Sequence, residues 1–116
     1  DLLAGGEGDD ALYGEAGDDD IYAGNGNDAG YGGDGADTYY AQSGVDFFDG
    51  GDGSWVDSIS FEYDSGNSFV VYANGERQDI DLSTNALQLD PNSSGVICFA
   101  DGSEVSFINI ELIEWT

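Results

Sequence analysis

GGDGADTYY, residues 32–40, sets an awkward folding problem. Its three glycines maximise the backbone entropy lost on ordering. Its two aspartates have no base nearby, and its paired tyrosines read as a strand in need of burial. The stretch is one copy of several. GGEGDDALY (5–13), GEAGDDDIY (14–22) and AGNGNDAGY (23–31) precede it without a gap. A worn copy, AQSGVDFFD (41–49), follows it, and GGDGSWVDSIS (50–60) carries two extra residues before its aspartate. DLLA at the start fits the last four places of a further copy. Asp1, Asp10, Asp19, Asp28, Asp37 and Asp46 therefore recur every nine residues, and so do Leu3, Leu12, Ile21, Gly30, Tyr39 and Phe48.

Over roughly residues 1–59 this pattern resembles the RTX nonapeptide repeat, G-G-x-G-x-D-x-U-x with U a large apolar residue. The resemblance implies an all-β chain: a calcium-binding parallel β-roll, a β-solenoid, with a β-rich C-terminal cap. Places one to six of each copy turn and places seven to nine form a short strand. Successive copies alternate between two facing sheets, so copies 18 residues apart stack. The residues support this reading independently. Glycines at turn places permit left-handed backbone and leave carbonyls uncovered. Strand side chains alternate faces, so each U residue points inward. With strands about 4.8 Å apart, each aspartate sits over another of its stack, and two carboxylates that close resist joint ionisation. A hard divalent cation turns that repulsion into binding, and carbonyls complete a shell of six or more oxygens that suits calcium better than magnesium.

Carried over place by place, the family pattern pairs Asp10 with Asp28, Asp19 with Asp37, Asp28 with Asp46, and Asp37 with Asp57. Carbonyls of Gly6, Gly8, Ala23 and Asn25 complete the first site, and those of Glu15, Gly17, Gly32 and Asp34 the second. Gly24, Gly26, Ala41 and Ser43 serve the third; Gly33, Gly35, Gly50 and Asp52 serve the fourth. The implied load is about three to five Ca2+ ions. Glu15, Gln42 and Ser43 depart from the pattern, and the insertion near Trp55 disturbs the fourth site. Gly30 replaces an apolar U residue, leaving space for Tyr39 on the facing sheet. At place nine, Tyr13 should lie over Tyr31 and Tyr22 over Tyr40, outside the core.

Charge narrows the function further. The 116 residues hold 25 acidic residues against one basic residue, Arg77, for a formal net charge of −24. Such a chain repels nucleic acid and anionic membranes and attracts cations. It has no histidine, the commonest general base, and its single Cys98, in the apolar run VICFA, excludes an internal disulfide. An EF-hand lacks its flanking helices and its glutamate at place twelve. A phosphate loop lacks its lysine. Paired carboxylates can cleave glycosides, but the repeat already accounts for them, so no catalysis is expected. No stretch reads as a transmembrane span or a signal peptide.

After Ile59 the period vanishes and glycine becomes scarce. SISFEY (58–63) and SFVVYA (68–73) read as strands, Asn74-Gly75 and Asp101-Gly102 as hairpin turns, and residues 81–95 as a connecting loop with at most one short strand. The expected division is a roll over 1–59 and a capping region over 60–116, which covers the apolar end and unpaired edges of the last coil. Trp55 is the candidate wedge between them, and Trp115 is expected to bury.

The resemblance further implies a monomeric module of a larger secreted bacterial protein. It leaves by a type I secretion machinery, folds outside the cell on binding calcium, stabilises upstream domains of the same parent, and does not insert into membranes. The alternative is a ligand- or partner-binding module of an RTX adhesin or surface-layer protein.

Overall fold

The computed structural model describes residues 1–116, and every regular element in it is a β-strand. Five three-residue strands come first: β1 Leu2–Ala4, β2 Ala11–Tyr13, β3 Asp20–Tyr22, β4 Ala29–Tyr31 and β5 Thr38–Tyr40. They occupy places seven to nine of their copies, and β6 Val45–Asp49 and β7 Ser58–Phe61 continue the series. Pairing is parallel and skips one strand each time: β1–β3–β5–β7 form one face and β2–β4–β6 the other. Leu3, Ile21, Tyr39 and Ile59 are in register along the first face, and Leu12, Gly30 and Phe48 along the second. These place-eight side chains meet between the sheets, where Ile21, Tyr39, Phe48 and Ile59 are fully buried.

Gly30 is the one gap in that core row. A methyl group on its backbone would lie 2.8 Å from the Tyr39 ring and 3.1 Å from Phe48, whose rings stack with centroids 5.0 Å apart. The missing side chain is thus matched by the two largest side chains buried in the roll.

The second half is built on β8 Phe69–Ala73, β9 Glu76–Arg77, β10 Ala86–Phe99 and β11 Glu104–Trp115. β11 joins both faces. Residues 104–108 run parallel to β6, with Phe107 on Phe48, and residues 112–115 run parallel to β7, with Ile113 on Ile59. Asn109, at φ 56°, turns the corner between them. One strand thus retraces the path of two roll strands, replacing an eight-residue turn with a three-residue corner, and it extends both rows of core side chains.

β10 follows β11 antiparallel around the same corner, bulging between Gln88 and Gly95 where Asn92 adopts φ 57°. β8 and β9 add the outer antiparallel layers. Phe61, Phe69, Phe99 and Trp115 form an aromatic cluster beneath them, with Trp115 buried.

Two expectations need correction. Residues 86–95 belong to the long strand β10 rather than to a loop, because β11 offers backbone partners to Ala86–Gln88, Ser93 and Gly95 on either side of the bulge, in a segment with weak strand propensity of its own. Trp55 wedges nothing: it is 53% exposed and packs over Gly53 in the bulged turn. The turn at Asn74-Gly75 has positive φ at both residues, as a type I′ hairpin requires, whereas in Asp101-Gly102 only Gly102 does.

Candidate metal centre

The turns stack into two columns, one along each edge of the roll. Within a column the glycine backbone is close-packed. A methyl group on Gly24 would lie 2.0 Å from the Gly6 carbonyl oxygen, and one on Gly33 would lie 2.1 Å from that of Glu15. Place four repeats this: Gly26, Gly35 and Gly44 sit over the carbonyls of Gly8, Gly17 and Gly26. Only glycine fits there, and the result is two rows of carbonyl oxygens facing the next coil. Glu15 takes left-handed backbone at φ 72° without being glycine, whereas Gln42 in the worn copy does not.

The place-six aspartates form the third row. In each pair the lower backbone N–H donates to Oδ1 of the aspartate above: Asp10 to Asp28 at 2.8 Å, Asp19 to Asp37 at 2.8 Å, Asp28 to Asp46 at 2.9 Å and Asp37 to Asp57 at 2.8 Å. All four expected pairs are therefore adjacent. The second carboxylate oxygen tells the rest. Oδ2 of Asp10, Asp19, Asp28, Asp37 and Asp46 is buried and has no hydrogen-bond partner. An isolated buried carboxylate is costly, and the strain is visible in proton affinity. Burial, reinforced by the neighbouring aspartate, pushes Asp37 and Asp46 up to about 6 and Asp57 up to about 7, and raises Asp28 as well.

Orphaned carboxylate oxygens beside bare carbonyls form an all-oxygen donor set that fits a hard divalent cation. No three acidic side chains converge at any point, so the carbonyls are needed to complete a shell. In the first site, Gly6, Gly8, Ala23 and Asn25 flank the Asp10–Asp28 pair. The Asn25 carbonyl also accepts the Gly8 N–H, at 3.2 Å. Glu15, Gly17, Gly32 and Asp34 flank Asp19–Asp37 in the same way, with Asp34 donating to the Glu15 carbonyl at 2.9 Å. Gly24, Gly26, Ala41 and Ser43 flank Asp28–Asp46, with Gly26 donating to Ser43 at 3.3 Å. The fourth set is incomplete. Gly51 stacks on Gly33, but Gly53 meets Trp55 instead of Gly35, and Asp52 lacks the bridge that ties Asp34 to Ala16 one coil earlier. The insertion bulges outward at Ser54–Val56, yet Asp57 returns to the column.

Two features escaped the sequence reading. At place five, Asp9, Asp18 and Asn27 accept the N–H of Asn27, Ala36 and Val45 one coil on, at 2.9 Å each, and so support the turns without entering the metal sets. Glu111, far outside the repeats, ends the aspartate column. It is in register beyond Asp57, whose N–H donates to its Oε1 at 3.0 Å, while its Oε2 accepts the Asn92 N–H at 2.6 Å. Place five runs Asp9, Asp18, Asn27, Ala36 and Val45, and Glu111 belongs to no period, so neither carried a signal.

A parallel β-roll whose turns stack carboxylates and carbonyls defines a cation-binding repeat protein. The family model of the RTX calcium-binding nonapeptide repeat matches residues 1–29 and 31–54 as four copies, and this part of the chain belongs to that family. Repeats of this family bind calcium; they are structural modules rather than catalytic ones, typical of proteins exported by type I secretion. No curated protein and no solved structure matches the chain.

Proposed function

We propose that the chain is a calcium-driven folding module that stabilises a larger secreted protein, with its second half acting as the cap of the roll. The observation that carries this reading is the set of buried, unpartnered aspartate Oδ2 atoms, one per nine-residue repeat from Asp10 to Asp46. Bound calcium supplies the positive charge that this row lacks. The chain's own residues supply the rest: glycine turns present carbonyls, Oδ1 atoms hold the coils in register, and place-eight side chains close the core. Because the sites exist only between stacked coils, binding free energy is folding free energy. Extracellular calcium modules bind at about 10⁻⁴ to 10⁻³ M, so the chain stays open in a low-calcium cytosol, passes through a type I exporter unfolded, and folds outside.

The capping role rests on β11, which covers the last strand of both faces and extends both core rows. Circular dichroism during a calcium titration tests the proposal. A coil-to-β transition between sub-millimolar and millimolar calcium is expected, with magnesium weak or inactive. A β spectrum indifferent to chelator would sink it.

A further inference from the structure

The outer aromatic ladder on the first face stops abruptly. Its place-nine column runs Ala4, Tyr22, Tyr40, Ser60, Glu114 in register. Tyr22 and Tyr40 stack with centroids 4.2 Å apart and planes 2° from parallel, so Tyr22 covers one face of the Tyr40 ring. On its other side the column continues with the small Ser60, and no ring follows. From Tyr40 to Glu114 is two strand spacings, about 9.6 Å, which leaves room for one planar group. This step opens into a cavity of about 460 Å³ lined by Tyr22, Tyr40, Ser60, Glu62, Phe99 and Asp101, among others.

The fringe of this cavity is anionic. Glu62, which lines it, and Glu114, in register beside Ser60, are exposed carboxylates. Asp101 is held as an ionised acceptor, its Oδ1 taking the Ser103 N–H at 2.8 Å and its Oδ2 the Asn67 amide at 3.1 Å, which keeps its carboxyl below the usual range. A flat aromatic face rimmed by carboxylates, in the field of a chain of net charge −24, selects a planar cation with several donors. Guanidinium meets each requirement: it stacks on aromatic rings and donates to carboxylates from its edge. A neutral sugar gains nothing from the field, and a second copy of the chain brings one base and 25 acids.

We infer that the step beside Tyr40 is a binding site for an arginine side chain presented by a basic segment of a partner protein, stacked on Tyr40 over Ser60 and paired to Glu62 or Glu114. The inference is independent of the metal columns, and its test uses the calcium-loaded full chain with its fold checked by circular dichroism. The probe is the peptide Ac-Gly-Arg-Gly-NH2, followed by NMR of the tyrosine ring protons, with the lysine counterpart and cellobiose alongside. Saturable shifts centred on Tyr40 are expected from the arginine peptide. They should be about fivefold to thirtyfold weaker in affinity for Tyr40→Leu, unchanged for Tyr13→Leu on the other face, and lost in Ser60→Tyr, which fills the step by extending the ladder. Shifts absent altogether, equal shifts from the lysine peptide that ignore Tyr40, or a preference for cellobiose would each overturn it.

Discussion

At the scale of single residues, the roll is decided by what is missing as much as by what is present. Gly24, Gly33 and Gly51 admit a carbonyl within about 2 Å of where their Cβ atoms would be, so the metal-facing oxygens exist because the side chains do not. Gly30 acts the same way in the core, making room for Tyr39 and Phe48. Gly30→Leu forces large groups into filled space, and overpacking of that kind costs about 1–3 kcal/mol or more. Thermal unfolding of the calcium-loaded variant should show a clearly lower midpoint, and an unchanged midpoint would remove the steric account. The aspartates divide their labour by atom: Oδ1 holds the adjacent coil and Oδ2 is left for a cation.

Among the elements, β11 connects the repeating and non-repeating halves. Glu111 imitates the repeat by accepting the Asp57 N–H, but the oxygen that is orphaned in earlier coils here accepts the Asn92 N–H. It continues the hydrogen-bond column while leaving no bare oxygen at its end. Glu111→Ala removes both acceptors, leaving the part-buried Asp57 N–H without a partner while the exposed Asn92 N–H turns to water, a loss of about 1–3 kcal/mol. Chemical unfolding of the calcium-loaded protein should register that loss, and Glu111→Gln, which keeps one good acceptor, should recover part of it. A variant as stable as the parent would show that the corner does not depend on this side chain.

For the whole molecule, proton and calcium compete for the same oxygens. Carboxyls at about 6 for Asp37 and Asp46 and about 7 for Asp57 lie above their unfolded value of 3.8. The metal-free fold therefore holds more protons than the open chain between about pH 4 and pH 7, so its stability is greatest at low pH and falls as pH rises through that window. Two measurements follow. Without calcium, β structure should appear on acidification towards pH 4 and be lost by pH 7. The calcium concentration needed for folding should fall as pH drops from about 7.5 to about 6, because bound protons stabilise the same fold even as they compete with calcium for its oxygens. A calcium midpoint independent of pH across that interval would contradict burial of the column.

The nine-residue period determined by itself that residues 1–59 turn and return, which residues face inward, and which aspartates meet, because a repeat fixes local geometry and stacking copies that geometry unchanged. The tyrosine ladders followed from the same arithmetic, and Tyr13 and Tyr22 stack on Tyr31 and Tyr40 as the 18-residue spacing requires. Tertiary structure alone decided where the stack stops. Nothing local in FINIELIEW marks Asn109 as a corner or Glu111 as the end of an aspartate column, and nothing in residues 86–95 marks a strand. The corner and the column end arise from the two open edges of β6 and β7, whose unpaired backbone groups impose strand geometry on β11, and the strand at 86–95 arises in turn from the free edge of β11.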